Sequence, residues 1–293
     1  MTILLLLLLG WLLAALFFTL LALRPACRSR EQQLATEMER HGLDPAMAQL
    51  PYEGWHLQSR RDTALFARFY ACGNEEKIML LFHGYNAPWI SLLKYLPLLQ
   101  KQGWSVLMPD HQAQGESEGR YISYGALESE DGCLWLQELQ RRYPEAKLAV
   151  MGESMGAATA LLLAQRCPQL RFCVADCPFA DLERELGYMA RKRYRIPGEL
   201  LLPLCKLWFR ILTGRTMDQA SPQRCIDRLK VPTLLIHGSE DRTVPVESSR
   251  QLAQQSSMIT YWEAPGARHA GVISAYPKEY EQRLAQMEQE VRV

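Results

Sequence analysis

The sequence predicts an α/β protein: a mostly parallel, twisted sheet of about eight strands with helices on both faces, preceded by one transmembrane helix. Three observations lead to this prediction. Short apolar runs alternate with helix-like segments from residue 52 onward, a pattern typical of strands buried on both faces of a parallel sheet. Twenty-one uncharged residues, Ile3 to Leu23, stand near the N-terminus. Residues 182–220 have helical composition where a short crossover would ordinarily join two strands.

Composition excludes several classes of protein. The 293 residues carry 33 basic and 32 acidic side chains, a net charge of +1, which is too balanced for an electrostatic nucleic-acid binder. The eight cysteines are too sparse for a disulfide scaffold and form no C-x-x-C pair. We therefore predict reduced, buried cysteines, no metal site, no organic cofactor and no nucleic-acid partner.

The apolar N-terminal segment fits a membrane span. Twenty-one helical residues rise about 31 Å, close to the thickness of a bilayer's hydrocarbon core. A buried helix of a soluble domain and a cleaved secretory signal are the alternatives. A secretory signal has a basic region before a shorter apolar stretch, and nothing basic except the chain amine precedes Ile3. We predict an uncleaved anchor over residues 1–30.

Three arginines follow this span: Arg24, Arg28 and Arg30. Basic residues accumulate on the cytoplasmic side of membrane helices. The remainder of the chain is therefore predicted to lie on the cytoplasmic side.

Residues 31–51 are predicted to connect the anchor to a folded domain over residues 52–293. Glu31–His41 has helical composition, and Gly42, Pro45 and Pro51 follow it. The first two predicted strands form an antiparallel hairpin, and the later ones are short buried runs. The predicted strands are Trp55–Ser59, Ala64–Ala71, Ile78–Phe82, Ser105–Met108, Leu148–Met151, Phe172–Ala175, Thr233–Ile236 and Met258–Trp262. The predicted helices of this domain are Leu92–Lys101, Leu127–Arg142, Met155–Arg166, Ser248–Gln254 and Lys278–Glu290.

The segment at about 182–220 is a candidate lid, although a passive excursion has the same pattern. Its eight basic and four acidic residues are interleaved with apolar ones. Such a segment could contact anionic lipid headgroups, or it could simply cover a pocket with its charges in solvent.

The strongest chemical signal is Gly152-Glu153-Ser154-Met155-Gly156. A buried strand precedes it and an alanine- and leucine-rich helix follows, which is the context of a nucleophile elbow. Small flanking residues allow a strained turn that holds Ser154 above the sheet edge. A Gly-Ser turn that merely caps a helix is the alternative.

A serine nucleophile needs a base and an acid that orients the base. Of six histidines, His269 lies between the last strand and the last helix, where loops reach over the serine. Asp241 follows a strand and is the preferred acid, with Asp176 as the second candidate. The predicted oxyanion hole combines the backbone N–H groups of Met155 and Tyr85.

These motifs resemble the α/β-hydrolase superfamily, in its serine aminopeptidase-like and esterase/lipase-like branch. The resemblance covers residues 52–293 and rests on His83-Gly84, the Gly152–Gly156 elbow, the Asp241–Pro245 loop and His269. It implies the α/β-hydrolase fold, and it implies that residues 182–220 are the cap that shapes the substrate pocket. Residues Asp110 to Ser117 resemble that branch's D-x-R-G-x-G-x-S loop, but Gln112 and Ala113 replace its arginine and first glycine.

The sequence thus predicts a membrane-anchored serine hydrolase that cleaves carboxylic esters of a small or lipid-like acyl substrate. Expelling an alkoxide requires less protonation of the leaving group than expelling an amine, which favours esters. An aminopeptidase-like amide hydrolase is the alternative enzyme. A non-catalytic membrane-associated binding protein on the same fold is the alternative from another class.

Overall fold

The computed structural model describes residues 1–26, 29–87, 89–195 and 198–290. Its centre is one eight-stranded sheet with the order β1-β2-β4-β3-β5-β6-β7-β8. The strands are β1 (Glu53–Gln58), β2 (Ala64–Tyr70), β3 (Lys77–Phe82), β4 (Ser105–Pro109), β5 (Lys147–Glu153), β6 (Cys173–Asp176), β7 (Thr233–Gly238) and β8 (Ile259–Ala264). Only β2 pairs antiparallel, with β1 and with β4, and the other pairs are parallel.

Ten α-helices accompany the sheet in the described residues. They are α1 (Thr2–Leu23), α2 (Arg30–His41), α3 (Leu96–Lys101), α4 (Ala126–Arg142), α5 (Met155–Arg166), α6 (Leu182–Met189), α7 (Gly198–Thr213), α8 (Glu247–Gln255), α9 (Val272–Ala275) and α10 (Pro277–Glu290). Two apolar cores, one on each face of the sheet, bury the strand side chains. This is the predicted fold class, with the predicted antiparallel hairpin at one edge.

The predicted strands and helices agree with the structure to within a few residues. The largest shift is at the helix predicted to begin at Leu92: a 3₁₀ turn covers Trp89–Leu92, and α3 begins only at Leu96. Pro97 explains the new start, because proline lacks an N–H and fits the first turn of a helix.

Four cysteines are buried as predicted, namely Cys167, Cys173, Cys177 and Cys205. The prediction is wrong for Cys72, Cys133 and Cys225, which are partly exposed. Cys72 lies just beyond the end of β2, and Cys133 lies on α4. All seven described cysteines are free thiols, and Cys27 lies outside the described residues.

Helix α1 is long and apolar enough to cross a membrane by its length and composition. Its side chains from Ile3 to Leu9 are all exposed, whereas Ala15, Thr19 and Leu23 are buried. The buried half lies on α7: the indole N–H of Trp208 donates to the Leu12 carbonyl at 3.2 Å. At the far end, the Ile122 N–H donates to the Leu23 carbonyl at 3.0 Å. The C-terminal half of α1 is thus packed against the domain.

The segment 182–220 forms α6, a π-helical turn over Ala190–Tyr194, α7 and a 3₁₀ turn at Asp218–Ala220. A third apolar cluster joins it to the rest of the molecule. That cluster contains Leu23 of α1, Phe209 of α7 and Met155, the residue after Ser154. We call α1, α6 and α7 together the roof, because they cover the sheet edge at which Ser154 lies.

Candidate active site

Ser154 lies in the tight turn between β5 and α5, with φ 56° and ψ −117°. Non-glycine residues rarely adopt such angles, and strain of this kind is typical of nucleophile elbows. The flanking glycines make the turn possible. A Cβ on Gly152 would lie 2.0 Å from the Gly156 carbonyl oxygen, and a Cβ on Gly156 would lie 2.2 Å from the Phe82 carbonyl oxygen.

The structure brings Ser154, His269 and Asp241 together. Along the chain, His269 is 115 residues from Ser154 and 28 residues from Asp241. His269 Nε2 lies 3.0 Å from Ser154 Oγ, and His269 Nδ1 lies 2.6 Å from Asp241 Oδ2. These distances are within hydrogen-bond reach. A proton can therefore pass from the hydroxyl to an imidazole whose other nitrogen is held by a carboxylate.

Asp241 is fixed from several sides. Its Oδ1 accepts the N–H groups of Thr243 at 2.7 Å and Val244 at 3.0 Å. Burial alone would raise the pKa of Asp241, but hydrogen bonds from His237 and His269 outweigh burial and hold the pKa below its usual range. The carboxylate therefore stays ionised and can stabilise a protonated His269.

His237 is a neighbour of this group that sequence reasoning did not find. Its Nε2 lies 3.2 Å from Asp241 Oδ2 and 3.1 Å from the Val244 carbonyl oxygen. His237 directly precedes a glycine at a strand end, a position where a histidine often bonds the backbone, and the Val244 contact agrees with that. In the sequence, the only sign of the contact with Asp241 is that His237 precedes Asp241 by four residues at the end of a strand.

The alternative acid, Asp176, has other partners. The hydroxyls of Tyr95 and Tyr280 each lie 3.1 Å from its Oδ2. Burial raises the pKa of Asp176 to about 6. Glu240, beside Asp241 in sequence, is exposed. The carboxylate in contact with His269 is that of Asp241.

The expected oxyanion donors flank the serine. Met155 is the first residue of α5, so its N–H has no acceptor within the helix. A Cβ on Gly84 would lie 3.4 Å from Ser154 Cβ, which places the Gly84-Tyr85 backbone against the serine. The Tyr85 ring stacks on Tyr124 at a centroid distance of 5.7 Å. Both segments therefore lie beside Ser154.

A buried ion pair behind the elbow was also not predicted. Lys94 Nζ lies 2.6 Å from Glu153 Oε2 and donates to the Ala270 carbonyl at 3.1 Å. Burial alone would lower the pKa of Lys94, but the Glu153 and Glu37 carboxylates outweigh burial and raise it. Lys94 therefore links the residue before Ser154 to the residue after His269.

Cys177, directly after β6, is a third unpredicted neighbour. Its Sγ and ligand atoms of Asp241 and His269 lie within 4.8 Å of one another. Burial raises the pKa of Cys177 well above its ordinary value. A protonated thiol is neither a nucleophile nor a good metal ligand.

The segment expected to connect anchor and domain contributes to the pocket. Residues of α2, including Glu37, Arg40 and His41, line the same pocket as Ser154 and His269. Glu185 of α6 lines its other side. The pocket wall at α2 is therefore polar and partly charged.

The loop with the substituted D-x-R-G-x-G-x-S pattern is well packed. Ala113 adopts φ 60° at the position of the missing glycine, and Gln112 donates to Asp131 at 2.6 Å. Ser117 Oγ donates to the Asp110 carbonyl at 2.6 Å. Arg68 of β2 forms a buried pair with Asp110 at 2.8 Å. The two departures from the pattern leave the loop intact.

Comparison with known proteins supports a hydrolase. The family model described as "Serine aminopeptidase, S33" matches residues 73–209, a stretch that contains Ser154 but neither Asp241 nor His269. The uncharacterized protein YqkD of Bacillus subtilis is 36% identical over 180 residues, which are 60% of this chain and 59% of that protein. The putative esterase YheT of Escherichia coli is 27% identical over 240 residues, 67% of this chain and 69% of that protein. The chain thus spans about three fifths of the length of YqkD.

Among solved structures, the Pyrococcus furiosus esterase Pf2001 superimposes with a TM-score of 0.70 at 22% identity. The superposition covers 92% of this chain and 97% of that esterase. At this identity the likeness concerns the fold. Sheet order, elbow geometry and the shared fold together identify the fold of this chain as the α/β-hydrolase fold, and the family match makes the chain similar to serine hydrolases of that fold.

Proposed function

We propose that this protein is a membrane-anchored serine hydrolase that cleaves carboxylic esters through an acyl-enzyme. The observation that carries the proposal is the continuous hydrogen-bonded chain from Ser154 through His269 to Asp241. In this fold such a chain converts a weakly nucleophilic hydroxyl into an attacking group. The match to a serine aminopeptidase family model and the likeness to a putative esterase support the same chemistry.

The proposed reaction has two half-reactions. Ser154 Oγ attacks the ester carbonyl while His269 Nε2 takes the hydroxyl proton, and the oxyanion is stabilised by the N–H groups of Met155 and Tyr85. His269 then gives the proton to the departing alkoxide, which leaves an acyl-Ser154 ester. Water, deprotonated by His269, attacks that ester. The acid leaves, and Ser154 recovers its proton.

Esters are preferred over aminoacyl amides because of the carboxyl groups in the pocket. An aminopeptidase needs an ionised acid to bind the substrate's terminal ammonium. Burial raises the pKa of both Glu37 and Glu185, and that of Glu185 reaches about 8. The uncharged form of Glu185 is therefore favoured near neutral pH, and an uncharged carboxyl binds ammonium weakly. The aminopeptidase remains the second candidate because of the family that the chain matches.

The anchor and its orientation are part of the proposal. Helix α1 is the candidate span, and the arginines after it favour a cytoplasmic position for the catalytic domain. Arg24 also lies over the Tyr121 ring at 5.2 Å, while Arg28 lies outside the described residues. A reporter fused after Val293 should behave as cytoplasmic. Recovery of a shortened chain outside the membrane would contradict the anchor.

The proposed activity is tested by kinetics on the full chain in detergent micelles. We expect hydrolysis of short-chain aryl esters with a higher kcat/KM than of aminoacyl aryl amides. Ser154→Ala should lower kcat by a factor on the order of 10⁴ or more without loss of folding. Equal rates for wild type and Ser154→Ala would favour a non-catalytic binding protein, and a preference for aminoacyl amides would favour the peptidase.

A further inference from the structure

A second, apolar cleft lies beside the catalytic pocket, between α1 and the α6–α7 segment. It encloses about 850 Å³ including its open mouth. One wall is the end of α1, with Phe18, Ala22 and Leu23, and the opposite wall is α7, with Leu201 and Phe209. The N-terminal helix is therefore part of a cavity wall as well as a candidate anchor.

The polar groups that line this cleft are turned away from it, toward carbonyl oxygens of α1. Thr19 Oγ1 donates to the Ala15 carbonyl at 2.8 Å, and Cys205 Sγ lies 3.7 Å from the same oxygen. The Tyr85 hydroxyl donates to Leu21 at 3.4 Å and the Tyr124 hydroxyl to Ala22 at 3.0 Å. With these partners, the surface left for an occupant is mainly hydrocarbon and aromatic ring, which disfavours polar ligands.

The cleft adjoins the catalytic pocket. Tyr85, Tyr124 and Met189 line both cavities. Met155, whose N–H is the proposed oxyanion donor, belongs to the same apolar cluster as Leu23 and Phe209. A carbonyl group bound at Ser154 thus lies in a pocket that is lined by polar residues of α2, such as Glu37 and Arg40, and that shares Tyr85, Tyr124 and Met189 with the apolar cleft.

We propose that the cleft between α1 and α7 binds the acyl chain of an amphiphilic ester whose polar alcohol part lies against α2. The proposal rests on the proposed esterase function and specifies its substrate class as single-chain, membrane-derived esters. The catalytic pocket has a more polar lining than the cleft, and this difference matches the two ends of such a molecule. Because α1 forms a wall, the membrane helix itself helps to select the substrate.

The exposed surface around the cleft is compatible with entry from a bilayer. Leu207 and Ile211 of α7 are 48% and 58% exposed, on the helix that packs against α1. The part of α1 before Leu12 is only about 15 Å long, roughly half the thickness of a bilayer's hydrocarbon core. With α1 docked, the apolar side chains of α7 would therefore lie at membrane depth, where acyl chains are present.

The test compares p-nitrophenyl acetate with p-nitrophenyl decanoate on the full chain in one detergent. Each methylene that enters the cleft should raise kcat/KM by up to about fourfold. From acetate to decanoate, kcat/KM should therefore rise by about 100-fold or more. Ala22→Trp fills the cleft from α1, and Leu201→Trp fills it from α7. Each should lower the decanoate-to-acetate ratio at least tenfold while leaving the acetate rate within about threefold of wild type.

Leu13→Trp is the matched control, because Leu13 is on the same helix but 53% exposed. The decanoate-to-acetate ratio of Leu13→Trp should equal that of wild type. Because all variants share the same micelles, partitioning of the ester into micelles affects every ratio equally. Unchanged ratios in both cleft variants, with acetate hydrolysis intact, would overturn the inference alone. Absence of any Ser154-dependent acetate hydrolysis would overturn the proposed function and the inference together.

A measurement on the wild-type chain removes dependence on the folding of the variants. A fluorophosphonate with a ten-carbon tail ending in a diazirine reacts with Ser154 Oγ, forming an O–P bond and releasing fluoride. Irradiation then crosslinks the tail to its neighbours. We expect crosslinks to Phe18–Leu23 of α1 or to residues 201–209 of α7. Crosslinks confined to α2 would overturn the inference.

Discussion

The sheet edge around Ser154 and the roof above it are built in different ways. At the sheet edge, short-range sequence determines the geometry: two glycines whose missing Cβ atoms would collide with backbone allow the serine its strained angles. In the roof, α1 and α7 are about 190 residues apart in sequence and meet through contacts such as that from Cys205 to Ala15. The strained turn at Ser154 is thus a local property of this chain, whereas the walls of the proposed acyl cleft depend on long-range contacts.

This difference determines what could be predicted from sequence. Ser154, His269 and Asp241 were identified from a short motif, from chain order and from positions after strands, because parallel strands bring their carboxyl ends to one edge. The apolar run of α1 indicated a helix of membrane length. It could not indicate a partner, because a leucine-rich helix is apolar on all sides and carries no preferred face.

Other features could not be predicted because they depend on pairs of distant residues. Lys94 and Glu153 form a buried ion pair whose partners are 59 residues apart, and neither carries a local signal of burial. Ala113 shows the same limit in a loop: alanine adopts the left-handed angles expected of glycine at a cost of about 1–2 kcal/mol, which surrounding contacts must offset. The sequence predicts only a connector for the residues of α2. Their place in the pocket could not be predicted, because the other residues that line the pocket are remote in sequence.

The largest expected effect concerns the sheet edge. Asp241→Asn removes the charge that holds His269 and should lower kcat by roughly 10³–10⁴-fold, because an amide neither orients the correct tautomer nor stabilises imidazolium. Asp176→Asn is the matched control. Its side chain faces Tyr95 and Tyr280, so its kcat should stay within about tenfold of wild type. A dead Asp176→Asn beside a near-normal Asp241→Asn would reverse the assignment of the acid.

A smaller effect is expected in the roof, at Glu185 of α6. Burial, reinforced by the nearby Asp241 charge, raises the pKa of Glu185 to about 8. In the unfolded chain the carboxyl ionises near its ordinary value of 4.5. Between these two pH values the folded state binds more protons than the unfolded state, so the free energy of unfolding should fall as pH rises from 4.5 to 8.

Glu185→Gln removes this dependence. Relative to wild type, the variant should gain about 2–4 kcal/mol of unfolding free energy between pH 5 and pH 8.5, measured by denaturant titration of the full chain in micelles. Glu183 is on the same helix as Glu185, and its carboxylate pairs with Lys206 of α7. Glu183→Gln should show no such pH-dependent gain. An equal gain in both variants would mean that helix charge, and not burial in the roof, is responsible.

The central claim is that Ser154 is an activated nucleophile, and covalent labelling tests it most directly. The full chain in micelles is treated with a fluorophosphonate, and intact-protein and peptide masses locate the adduct. We expect one stoichiometric adduct, on Ser154, which is absent in Ser154→Ala and forms at least about 100-fold more slowly in His269→Ala. An unlabelled wild-type chain, or labelling that persists in Ser154→Ala, would contradict it.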